Sequence, residues 1–119
     1  MRTLVAELGL LALLAAGCHG ARDGGAPCGT VAGRLFAIAR DDLARGSADP
    51  ATRRQVGDQL PAIRDALAQA CDRGGWSAAA RTCMVGAADH VAFETCQREL
   101  TDDQRRALDR ASRGETDSP

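Results

Sequence analysis

The stretch CDRGGWSAAARTCMVGAADHVAFETC, residues 71–96, decides how this chain is read. It holds Cys71, Cys83 and Cys96, with the one tryptophan, Trp76, between the first two. A fourth cysteine, Cys28, stands far upstream, and a fifth, Cys18, lies near the start. Gly74 and Gly75 are helix stops, because glycine readily takes the left-handed turn that ends a helix. Ser77 and Asp89 stand where a side-chain oxygen can cap a helix start. The stretch therefore reads as the end of one helix followed by two short ones, with a cysteine on each.

The rest of the chain extends this helical pattern in both directions. Cys28, Val31, Ala32, Leu35, Ile38 and Ala39 recur at helical spacing, with Leu43 one turn on. Residues 46–49 (GSAD) break the pattern. Asp49 followed by Pro50 is a start signal: a capping carboxylate, then proline at the first helical position. The second helix is expected from Pro50 to about Arg73, with Val56, Leu60, Ile63, Leu67, Ala70 and Cys71 on one face. Pro61 falls inside it, where the ring removes one backbone hydrogen bond and crowds the carbonyl of Gly57. The apolar spacing runs on through Pro61, which predicts one kinked helix rather than two.

A third helix is expected from the Ser77 cap to about Ala88, with Cys83 and Met84 or Val85 as its larger apolar residues. A fourth starts at Asp89 and carries Phe93, Cys96 and Leu100 at three- and four-residue spacing. Residues 101–104 (TDDQ) form a capping box, in which Thr101 and Gln104 each satisfy an orphan backbone N–H. Asp102 and Asp103 complement the helix dipole there. The fifth helix has only Ala107, Leu108 and Ala111 as an apolar stripe. No strand pattern occurs. The expected fold is all-α: a small bundle of four to five short helices, arranged as two antiparallel hairpins.

The cysteines give this bundle its staples. In an antiparallel hairpin the start of the first helix lies opposite the end of the second, which brings Cys28 to Cys71. Cys83 and Cys96 lie at similar distances from the turn near Asp89. The favoured pairing is Cys28–Cys71 with Cys83–Cys96; the next is Cys28–Cys83 with Cys71–Cys96. Four cysteines allow three connectivities, and spacing alone does not choose among them.

The N-terminus points to export. Arg2 gives a positive start, and an apolar run follows that is too short to span a bilayer. Ala15, Ala16 and Gly17 then precede Cys18. This layout is a secretory signal. Small residues followed directly by cysteine resemble the lipobox of bacterial lipoproteins. The resemblance implies that residues 1–17 are removed, that Cys18 receives lipid, and that the membrane is a partner through that lipid. Ordinary secretion, and a retained or misread start, are the other readings. Export permits disulfides, and setting Cys18 aside leaves an even four. Residues 18–27 then read as a flexible tether, residues 28–112 as the stapled domain, and residues 113–119 as a disordered tail.

Composition narrows the function classes. The net charge is −1, and the arginines and acids are interspersed. No basic block suggests nucleic acid. Alanine supplies much of the apolar count, while the aromatics are only Trp76, Phe36 and Phe93. Alanine favours helix but buries little surface, so a core of about 85 residues commonly needs a staple. No GxSxG, HExxH or P-loop is present, and no cofactor or small-molecule substrate is indicated. Cys71, Cys83, His90 and Cys96 supply a Cys₃His set, but their spacing is not that of a zinc finger or ribbon. A CxxC redox pair is missing. Trp76 is a candidate interaction residue, since tryptophan is favoured at binding hot spots. Its competing role is to cover the end of the bundle.

Two resemblances bear on function. Leu100, Thr101 and Gln104 match the LTxxQ motif of the Spy and CpxP family of periplasmic chaperones and envelope-stress regulators. A broader pattern, Cys71, Trp76-Ser77, Arg81, Cys83, Ala88, Cys96, Leu100-Thr101 and Gln104, looks like a module of small cysteine-containing helical lipoproteins of myxobacterial type. That group implies an extracytoplasmic helical domain and supplies no activity. The expectation is a lipid-anchored cell-envelope protein facing the periplasm or cell surface. It is read as a non-enzymatic structural or protein-interaction module with an unidentified protein partner. The alternative is a chaperone or stress sensor of Spy/CpxP type.

Overall fold

The computed structural model describes residues 23–116. The signal segment 1–17, Cys18, residues 19–22 of the expected tether and residues 117–119 of the expected tail lie outside these. The elements are α1 (Cys28–Arg45), α2 (Pro50–Gly74), α3 (Ala78–Val85), α4 (His90–Thr95), a 3-10 helix (Cys96–Glu99) and α5 (Asp102–Ala111). Among the described residues there is no strand. The all-α class and the stapled bundle expected from the sequence are what the chain adopts.

Local chemistry sets each boundary. Asp49 caps α2 by accepting from the Thr52 backbone N–H at 3.0 Å. Thr52 also donates its hydroxyl to the same carboxylate at 2.9 Å. Hydrogen bonding from Thr52 holds the Asp49 carboxyl below the ordinary carboxylate range. Helix α2 runs unbroken through Pro61 to a left-handed Gly75 (φ 59°). Helix α3 ends at Val85, three residues short of the expected Ala88. The cause lies on α1. Arg34 Nε donates to the Ala87 carbonyl at 2.7 Å, and Nη2 donates to that of Ala88 at 3.3 Å. These bonds draw 87–88 away from the helix path, and Asp89 then starts α4 by accepting from the Ala92 N–H at 2.8 Å. The expected fourth helix through Leu100 instead tightens into the 3-10 helix after Thr95.

Helices α1 and α2 form the long hairpin, and α5 packs along α2. Helix α3 packs against α1, α4 and the 3-10 helix. One core joins them: Val31, Ile38, Leu67, Trp76, Met84, Phe93, Leu100 and Leu108 are all buried. Val56 departs from expectation. It is 36 % exposed, although the periodicity of α2 puts it on the apolar face. It lies near the hairpin tip, whereas α5 covers α2 from Ala66 to Gly74. Arg113 is paired with Asp109 at 2.7 Å and Glu115 at 3.1 Å. Glu115 and Thr116 fold back beside Ala66 and Ala70. Of the tail expected from Arg113 onward, Glu115 and Thr116 thus lie beside α2, while residues 113–116 all remain exposed.

Candidate functional site

The 71–96 stretch is a double fastening. Cys28 is bonded to Cys71, with Cα atoms 5.6 Å apart. Cys83 is bonded to Cys96, with Cα atoms 5.7 Å apart. The antiparallel argument thus selected the right connectivity. The two bridges differ in burial. Cys71 is 1 % exposed and Cys96 3 %, whereas Cys28 is half-buried and Cys83 is exposed. With Cys71, Cys83 and Cys96 oxidised and split between two bridges, the Cys₃His set offers no joint group of thiolates. His90 instead lies 3.1 Å from Glu94 one helical turn on. No group of three metal-ligating side chains gathers among the described residues.

Trp76 is only 3 % exposed, so its ring is core and offers no contact surface for the interaction role considered above. Its backbone N–H donates to the Cys71 carbonyl at 3.3 Å, which folds the chain tightly after α2. A Cβ on Gly74 would lie 3.1 Å from the indole Nε1, so the indole edge sits directly on the end of α2. Among the described residues that buried N–H has no hydrogen-bond partner.

The centre that sequence reasoning missed is Arg81. It is 6 % exposed, and its guanidinium reaches three acceptors. Nε donates to the Trp76 carbonyl at 3.0 Å, Nη1 to the Ala26 carbonyl at 2.7 Å, and Nη2 to the Asp23 carboxylate. A buried cation is tolerated only when paired and hydrogen-bonded, and Asp23 supplies the opposite charge. The Arg81 hydrogen bond, helped by the Gly25 N–H, holds the Asp23 carboxyl below the ordinary carboxylate range. Gly25 fits the same joint. A Cβ there would lie 2.7 Å from the Ala78 Cα and 2.8 Å from its Cβ, so only glycine lets the segment lie flat on α3. Residues 23–27, expected as the end of a tether, form a strap across α3. The available signal was the position of Arg81, three residues before Met84 and one turn from Ser77, on the inward side of α3.

Thr101 and Gln104 form the capping box. Gln104 N–H donates to Thr101 Oγ1 at 3.2 Å, and Thr101 N–H donates to Gln104 Oε1 at 2.9 Å. Gln104 Nε2 also donates to the Gly74 carbonyl at 2.9 Å, which ties α5 to the end of α2. Beside this tie lies an open groove of about 410 Å³, lined in part by Ala70, Arg73, Gln104 and Arg110. A second groove of about 310 Å³ lies among His90, Glu94, Arg105 and Asp109. Among the described residues no helix is long and apolar enough to cross a membrane. No family model, no curated protein and no solved structure matches the chain.

Proposed function

We propose that the chain is a lipid-anchored, non-enzymatic interaction module of the bacterial cell envelope, facing the periplasm or the cell surface. The observation that carries this reading is the cysteine account. Four of the five cysteines close on one another in two bridges, which leaves Cys18 as the one remaining. Cys18 follows Ala15-Ala16-Gly17, the place a lipid-receiving cysteine would occupy. Disulfide bridges also suit an oxidising compartment.

What the folded part offers a protein partner is surface. Val91 is 71 % exposed, and Val56 is exposed near the hairpin tip. Phe36 is half-buried on α1, with the Arg64 and Arg40 guanidinium carbons 5.2 and 6.0 Å from its ring centre. The chaperone reading has less support. Its motif rests on Leu100, Thr101 and Gln104. Leu100 is buried, and the side chains of the other two are occupied in capping and in the tie to Gly74.

The test is Cys18→Ser in the native host. The expected result is loss of lipid labelling and release from the membrane fraction. Unchanged fractionation and labelling would remove the anchor from the reading. Crosslinking of the wild-type chain is expected to recover one discrete partner. A broad set of unfolded clients, with suppression of their aggregation, would favour the chaperone instead.

A further inference from the structure

The strap and its arginine bear on how such an anchored domain would sit. Asp23 is five residues beyond Cys18, and a fully extended chain gains at most about 3.6 Å per residue, or about 18 Å over that distance. From Asp23 onward the chain is held on the domain. Arg81 holds Asp23 by its carboxylate and Ala26 by its carbonyl, and Gly25 is pressed against Ala78. The strap leads directly into α1 at Cys28, so the leash leaves the domain at one fixed end. That end exposes Thr30 on α1, and Ser77 and Ala79 at the start of α3. The hairpin turn at Gly46 and Ser47 lies at the other end of α1, about 27 Å away for a helix of this length.

We infer that the Arg81 strap orients the domain on the membrane, with the Thr30–Ser77–Ala79 end against the lipid surface and the hairpin tip turned away from it. This rests on lipidation of Cys18. A free tether of ten residues would let the domain tumble. Holding residues 23–27 on α3 puts the first held position, Asp23, five residues beyond Cys18. Arg81 is here a positioning residue, acting through Asp23 and Ala26. The partner at the strap end is the phospholipid headgroup layer, because the leash brings that end within about 18 Å of the lipid-bearing cysteine. The tip, with Val56 exposed near it, is left for a protein.

The test uses the full lipidated chain in bilayer discs of phosphatidylethanolamine and phosphatidylglycerol carrying a headgroup spin label. Amide signals of Thr30, Ser77 and Ala79 are expected to be lost, while those of Gly46 and Ser47 persist. Gly25→Leu ejects the strap by collision with the Ala78 backbone, yet lies outside both disulfide loops. It is expected to keep the lipid and the helical content, and to lose the difference between the two ends. Asp23→Asn is expected to weaken the difference in the same direction. A lipidated wild-type chain with equal loss at both ends, or with loss at the tip alone, overturns the strap inference and leaves the anchor reading standing. So does a Gly25→Leu chain that keeps the wild-type pattern. A chain with no lipid on Cys18 overturns both.

Discussion

The two disulfides fasten two different kinds of structure. Cys28–Cys71 closes a long hairpin whose helices have 18 and 25 residues. Each of those helices carries a continuous apolar stripe, so the bridge secures something the stripe already specifies. Cys83–Cys96 joins α3, of eight residues, to the residue that follows α4, of six, and opens the 3-10 helix. Helices this short do not persist alone, because nucleation costs more than so few hydrogen bonds return. They stand because Ser77 and Asp89 cap them, Arg34 holds the turn between them, and Met84 and Phe93 are buried in the shared core. The hairpin is held by periodicity, and the short pair by individual side chains.

The sharpest way to break this comparison is to remove each bridge in turn. The Cys28→Ala/Cys71→Ala pair opens a 43-residue separation, which chain-entropy reasoning values at about 4 kcal/mol. The Cys83→Ala/Cys96→Ala pair opens one of 13, worth about 3 kcal/mol. Denaturant unfolding should show this order. Circular dichroism should show more helix lost per kcal/mol from the second pair, because α3 and α4 lack length of their own. Equal helix retention in both variants would contradict the distinction.

A second test lies within α2, where one apolar stripe meets two environments. Leu67 is fully buried, so Leu67→Ala is expected to cost about 2–5 kcal/mol. Val56→Ala, near the half-exposed tip, is expected to cost less than about 1 kcal/mol. Similar losses in a urea titration would mean that the tip is covered in solution.

The smallest expected effect is a pH dependence of the strap. The Asp23 carboxyl is lowered from an ordinary value of 3.8 by the Arg81 hydrogen bond. A carboxyl lowered by folding stabilises the folded state above its unfolded value. That contribution fades as pH falls through the folded value. Strap release, followed by hydrogen exchange of the Gly25 amide, should therefore set in below about pH 3.8 and be absent at pH 7. In Asp23→Asn the acid-induced step should disappear.

Much of this fold could be read along the chain. Asp49-Pro50, Gly75, Ser77, Asp89 and the 101–104 box each act within one helical turn, so their chemistry is local and their boundaries followed from it. The Cys28–Cys71 pairing also followed, because an antiparallel hairpin of two long helices leaves little choice of neighbours. The end of α3 did not, since it depends on Arg34, 53 residues upstream of Ala87. The strap escaped for the same reason. Asp23 and Arg81 are 58 residues apart, and a glycine-rich segment such as 23–27 has no apolar period to announce that it packs.

By itself the sequence determined where the helices start, their caps, the four-cysteine framework and the all-α class, because these depend on side chains close together along the chain. The tertiary structure decided which cysteine stays exposed, where Trp76 is buried, and that Arg81 pulls the N-terminal segment onto α3. Those outcomes depend on which surfaces meet after the helices pack. A buried guanidinium must find its acceptors wherever the fold provides them, and here it finds one of them five residues beyond Cys18.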